Sequence, residues 1–148
     1  MPCQKCLKQK GYHSFTHFGK LNGINLFYTA PAKSLDKDED GTKLANVILH
    51  VREETEQKPW IWVLDCGNMT FEHYTEMNFN RGIVDLISTD PWLKEIWILR
   101  SNVWIQSTIS FFQAFTYTKI FSNIFFIEHD NLRSRGLDVP TTNWLLQQ

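Results

Sequence analysis

The chain has 148 residues, 15 basic against 16 acidic side chains for a net charge of −1, and 43% apolar residues. That length suits one domain with a single core, and the balanced charge speaks against the broad basic field that grips nucleic acid. Three cysteines, an odd number, speak against a disulfide framework and fit a reducing compartment.

No apolar run is long enough to span a bilayer, and Met1-Pro2-Cys3-Gln4-Lys5-Cys6 lacks the apolar core of a signal peptide. A soluble cytoplasmic protein is expected, in which the Asn68-Met69-Thr70 sequon carries no sugar. Aromatic content stands out, with 11 Phe, 6 Trp and 4 Tyr.

Residues 1–12 are basic and polar and are expected to form a flexible segment ahead of a single domain over 13–148. From residue 14 to 18 and again from 24 to 29 the chain is β-type, and Asn22-Gly23 between them supplies the positive φ angles of a tight reversal. Leu44, Val47, Ile48 and Val51 recur at helical spacing and predict an amphipathic helix over 42–57, stopped by Pro59. Two unbroken apolar runs follow, Trp60 to Leu64 and Ile96 to Leu99. Neither alternates with polar residues, so neither strand has a wet face, which is the mark of a parallel sheet covered by helices. The helical pattern between them, over 71–88, has Phe79, Ile83, Leu86 and Ile87 as its buried stripe, with Phe71 and Tyr74 earlier. It fits a crossover connection, and the fold class expected is α/β with a mostly parallel central sheet. A third helix over 103–115 is apolar around much of its circumference, so it must bury two faces or cover something apolar that is not protein. Ile124 to Ile127 is the last core strand, and Leu132, Leu137, Val139, Trp144, Leu145 and Leu146 in the tail are expected to pack back onto the sheet.

Chemistry-bearing clusters are few. Cys3-x2-Cys6 with His13-x3-His17 has the residue types of a zinc site. If residues 14–18 are a strand, however, His13 and His17 stand about 13 Å apart and cannot share one ion. Cys3, Cys6 and His13 remain as the residual zinc set, and the expectation is no metal. Asp36-x-Asp38-x-Asp40-Gly41 opens like a calcium loop, but its twelfth position is Val47, where a bidentate Glu is needed. No nucleophile elbow or phosphate loop is present. Asp65 ends a strand where α/β active sites gather, but without a nucleophile–base pair it reads as a loop cap. No catalysis and no cofactor are expected.

The order of parts resembles the CRAL-TRIO family of intracellular lipid-binding domains. The points of likeness are Gly19-Lys20-Leu21-Asn22-Gly23 before Leu26-Phe27-Tyr28, then Trp62-Val63-Leu64-Asp65 with Gly67, and the Pro91 turn before Ile96 to Leu99. The last is Phe111-Phe112-Gln113-Ala114-Phe115 with Thr118-Lys119-Ile120, which is similar to the family's gate helix and its Lys-Ile step. The resemblance implies a helix-flanked sheet with an apolar cavity under a mobile gate, here without the helical domain that precedes it in the family. It implies Trp62, Leu64, Ile98, Phe111, Phe115 and Phe125 as contacts to a hydrophobic ligand, a lipid for instance, and Lys119 as the polar contact. Trp92 stands where inositol-lipid carriers have an acidic residue. Trp60 and Trp62 stand where phosphatidylcholine carriers have small hydroxyl residues, so a narrow cavity, or one filled by the indoles, is expected. The partner expected is a hydrophobic small molecule or lipid, with membrane contact at most peripheral. The alternative is a ligand-free interaction module of this fold or of the STAS type, binding a protein partner or a second copy.

Overall fold

The computed structural model describes Cys3 and residues 12–33, 41–70, 72–73, 76–115 and 119–148, the side chains of Met77, Phe112 and Phe115 excepted. Cys6, the Asp36-to-Asp40 loop, Phe71, Tyr74, Thr118 and the Phe115 side chain, all singled out above, lie outside the described residues. The elements are β1 (Thr16–Leu21), β2 (Ile24–Thr29), α1 (Thr42–Thr55), β3 (Trp60–Asp65), α2 (Met77–Thr89), β4 (Leu93–Leu99), α3 (Val103–Phe115), β5 (Ile124–Ile127) and α4 (Val139–Leu146). Short 3-10 turns occupy Pro31–Lys33, Lys119–Asn123 and His129–Arg135. No described helix is long and apolar enough to cross a membrane.

The five strands lie side by side in sequence order. β1 and β2 pair antiparallel through Asn22 and Gly23, at φ 50° and 81°, and every other neighbouring pair is parallel. The sheet is therefore α/β and mostly parallel, as the two dry runs predict. α1 stops two residues short of its expected end because Glu56 and Gln57 both turn left-handed, at φ 54° and 55°.

Alternate residues of each strand feed two separate cores, as the period of two requires. One face presents Phe27, Trp60, Trp62, Ile96, Ile98 and Ile124 to Val47 and Val51 of α1, Leu86 and Ile87 of α2 and Ile109 of α3. The opposite face presents Leu26, Tyr28, Ile61, Val63, Trp97 and Leu99 to Leu132 and to Leu145 of α4. On that second face the Arg135 guanidinium lies 4.8 Å from the Trp97 ring centre and 5.3 Å from that of Phe125. Trp144 stacks on Phe18 at 4.9 Å and meets Tyr28 edge-on at 5.3 Å. Leu132, Leu137, Trp144, Leu145 and Leu146 of the tail pack back as expected, whereas Val139, in the first turn of α4, faces solvent with 69% of its surface exposed.

α4 seats on β1 by close approach at Gly19. A Cβ there would stand 2.7 Å from both Oγ1 and Cγ2 of the buried Thr141. Gly19→Ala is expected to destabilise the fold by about 1–3 kcal/mol through overpacking, read as a lower urea midpoint. Because the two residues touch, the double variant with Thr141→Ala should recover most of that loss. An unchanged midpoint in Gly19→Ala would show that α4 is not held there.

Candidate functional site

The helix-covered face with Trp62 carries a mostly apolar pocket of about 160 Å³ at the carboxyl ends of β2 and β3. Trp62, Leu64 and Cys66 come to it from β3 and the residue beyond, Val47 from α1, Phe79 and Ile83 from α2, and Ile105 from α3. The polar residues of its lining include His13, Ser14, Lys43, His73, Glu76 and Asn80. The pocket lies outside the carboxyl ends of these strands, in a sheet whose sequential order has no reversal point. An apolar cavity near 150 Å³ takes a benzene-sized molecule. A pocket of this size matches a small ring or the end of an alkyl chain and is too small for a whole phospholipid.

Aromatic packing sets that size. Phe15 stacks on Phe27 at 4.7 Å and meets Trp60 and Trp62 edge-on at 5.9 and 6.1 Å, with the two indoles 5.4 Å apart. Trp62 donates its indole N–H to Thr29 Oγ1 at 2.8 Å, and Trp60 donates to Asp90 Oδ2 at 3.3 Å. The indoles thus fill much of the space expected for a ligand, and the pocket is what remains beside Trp62. Burial, then the charge of Asp65, pushes the Cys66 thiol up to about 12, so it lines the pocket as a protonated thiol at neutral pH. Lys43 is buried with its ammonium 5.0 Å from the Phe79 ring centre.

Of the residues singled out in the sequence, Trp62 and Leu64 line the pocket. Ile98 belongs to the same face, buried in the core. Phe125 stands on the opposite face, under Arg135. Phe111 points outward with 61% of its surface exposed, and Lys119 is exposed on the turn that follows α3. Among the described residues of α3, Ile105 is the one that lines the pocket. The outer side of the helix leaves Val103 71% and Trp104 63% exposed. Phe79, Ile83 and Val47 are the wall residues that the helical stripes of α1 and α2 already marked as inward.

A second cluster adjoins the pocket through His13. Cys3 is buried and its backbone N–H donates to His13 O at 2.6 Å. Its Sγ lies 3.6 Å from His50 Nδ1 on α1, and His13 Nε2 lies 3.1 Å from the same nitrogen. The two imidazoles stack at 5.4 Å. Burial first, then the neighbouring charges of His50 and Lys43, hold His13 down to about 4 despite an opposing backbone bond at Ser14. His13 is therefore neutral at physiological pH. His17 is apart from the cluster, 3.1 Å from Asn25 Oδ1, as the strand spacing requires. A thiol against an imidazole has the atoms of a catalytic dyad, here with Cys3 1% exposed.

Asp65, on the strand end, is a latch. It accepts from Tyr28 Oη at 2.6 Å, from Arg100 Nε at 2.9 Å and from the Gly67 N–H at 3.0 Å, and it also pairs with the second Arg100 nitrogen. Burial works to raise its pKa, but the bonds from Arg100, Tyr28 and Gly67 outweigh it and hold the carboxyl below the ordinary range. Arg100 reaches it from a left-handed backbone at φ 48°, immediately after β4.

Below the ordinary aspartate pKa of 3.8 the unfolded chain takes up a proton that the folded chain still refuses. Stability from this latch is full above that value and is lost as the pH falls through the native one. Asp65→Asn should cost about 2 kcal/mol at neutral pH, discounted for the half-exposed Arg100, and should flatten this acid-side loss. Equal acid profiles by denaturant melts would refute the assignment. Cys66 should resist iodoacetamide at pH 8 in the native protein and react after denaturation; native reaction at the rate of free cysteine would mean that the pocket wall opens freely. No protein-family model matches the chain, and no curated protein matches it.

Proposed function

We propose that the protein is a non-catalytic binding domain that takes a small hydrophobic ligand, or the end of a lipid chain, in the pocket beside Trp62. The observation that carries this reading is the apolar hollow of about 160 Å³ between the sheet and α1 to α3, at the edge of a parallel sheet. The CRAL-TRIO resemblance adds support, because that family also places its ligand between sheet and helices. The chemistry of the walls favours a ligand with an apolar body. A polar tip on the ligand would meet His13, Lys43 or Asn80. Cys3 and Cys66 are both free thiols, in keeping with the cytoplasm.

The exposed side of α3 favours a second reading, a ligand-free interaction module. Val103, Trp104 and Phe111 give it a large apolar outer surface, and such surfaces mark contacts with protein partners or a second copy.

Native mass spectrometry with organic extraction of the purified protein separates the two readings. A co-purifying apolar molecule supports the binding domain, and a ligand-free dimer supports the module. In solution, toluene should shift the Trp62 indole N–H resonance. Burying about 150 Å² of apolar surface is worth about 4 kcal/mol, or a dissociation constant on the order of 1 mM. Ile83→Trp should fill the hollow and abolish that shift while the protein stays folded. An unresponsive Trp62 in the wild-type protein would overturn the pocket reading.

A further inference from the structure

We propose that Cys3, His13 and His50 form a zinc-class metal site that fastens the N-terminal stretch and the start of the β1–β2 hairpin to α1. This inference stands on the cluster alone and does not depend on what fills the pocket.

The three side chains come from places far apart in the chain and converge in the interior. All are buried, and one ligand atom from each lies within 4.8 Å of the other two. Bonds of about 2.3 Å to sulfur and about 2.05 Å to nitrogen put tetrahedral edges at about 3.6 Å for S···N and about 3.3 Å for N···N. The measured separations are 3.6 Å from Cys3 Sγ to His50 Nδ1 and 3.1 Å from His13 Nε2 to His50 Nδ1. Two of the three edges, both at His50 Nδ1, thus match a coordination tetrahedron to within a few tenths of an ångström, and the third, between Cys3 and His13, is within 4.8 Å.

Hydrogen bonding accounts for the arrangement less well. Both close contacts fall on one atom, His50 Nδ1. An imidazole nitrogen carries one proton or one lone pair, never both. It therefore serves either the thiol or the other imidazole as a full partner, and the second contact is shared. A cation between the three atoms uses a lone pair from each. One thiolate and two imidazoles are a donor set suited to Zn²⁺, and three protein ligands leave the fourth position for an exchangeable group. Cys3 is the ligand that ties in the N-terminus; its backbone N–H already holds His13 O. His50 is one helical step from Val47 and beside Val51 on the buried arc of α1, so the ion would pin that helix to the sheet edge.

The probes are Zn²⁺ and Co²⁺ alone. Protein purified from zinc-supplemented cells and dialysed should retain about one zinc per chain by elemental analysis. Metal-free protein titrated with Co²⁺ should show the intense visible bands of tetrahedral cobalt and a near-ultraviolet thiolate-to-cobalt band. Cys3→Ser should remove the thiolate band. Cys3→Ser and His50→Ala should each weaken zinc by at least about 100-fold, and His17→Ala, away from the cluster, by less than about threefold. Zinc should also raise the melting temperature of the wild-type protein and not that of His50→Ala. Folded wild-type protein that binds neither ion tightly, or undiminished binding in Cys3→Ser and His50→Ala, overturns the assignment. The wild-type titration decides even if the variants fail to fold.

Discussion

β3 has no wet side, and the whole architecture follows from covering it. Trp60 and Trp62 face α1 and α2, while Ile61 and Val63 face Leu132 and α4, and all four are almost wholly excluded from water. Each large apolar side chain buried is worth about 1.5–3 kcal/mol, which no single-sided sheet collects twice over the same strand. A helix layer on one side and a 3-10 turn with a short helix on the other are the means. The polar end of the strand is settled by Asp65, whose carboxylate is shared among Tyr28, Arg100 and the Gly67 backbone. That latch joins β2, β3 and the exit of β4 at the edge where the pocket opens.

Apolar runs and helical stripes made the sheet, its parallel character and the bounds of α3 legible, because burial on both faces erases alternation and helical burial repeats at 3.6. The same lack of alternation hid which residues share a face. Phe125 sits inside an unbroken run, and nothing in Ile-Phe-Phe-Ile says that it turns toward Arg135 and away from Trp62. α3 poses the converse difficulty: a helix apolar nearly all round does not reveal which side meets the sheet. Ile105 and Ile109 face in, and Trp104 and Phe111 face out. The pairing of Asp65 with Arg100 had a signal, since each ends a dry strand and parallel neighbours in register bring such ends together. In the cluster of Cys3, His13 and His50, the first two had a signal in their residue types and the third had none. His50 looked like one polar residue within an amphipathic helix, and its partners lie 37 and 47 positions away.

The pocket and the thiol–imidazole cluster share a wall at His13, and Lys43 stands at both. A ligand in the hollow and an ion in the cluster would therefore be felt through the same neutral imidazole. The far side of α3 is independent of both, separated by the body of the helix. One small domain thus carries an inner cavity and an outer apolar surface that do not compete for the same atoms.

Strand order along the sheet repeats the order in the chain, and each parallel pair closes a long crossover loop before its contacts form. The closing step is different, because the last helix lands on the first strand, with Thr141 against Gly19 and Trp144 against Phe18. A chain halted before residue 139 would own all five strands and still lack the Trp144 cover over Phe18 and Tyr28. Until α4 docks, Phe18 and Tyr28 keep an aromatic surface that Trp144 covers in the native fold.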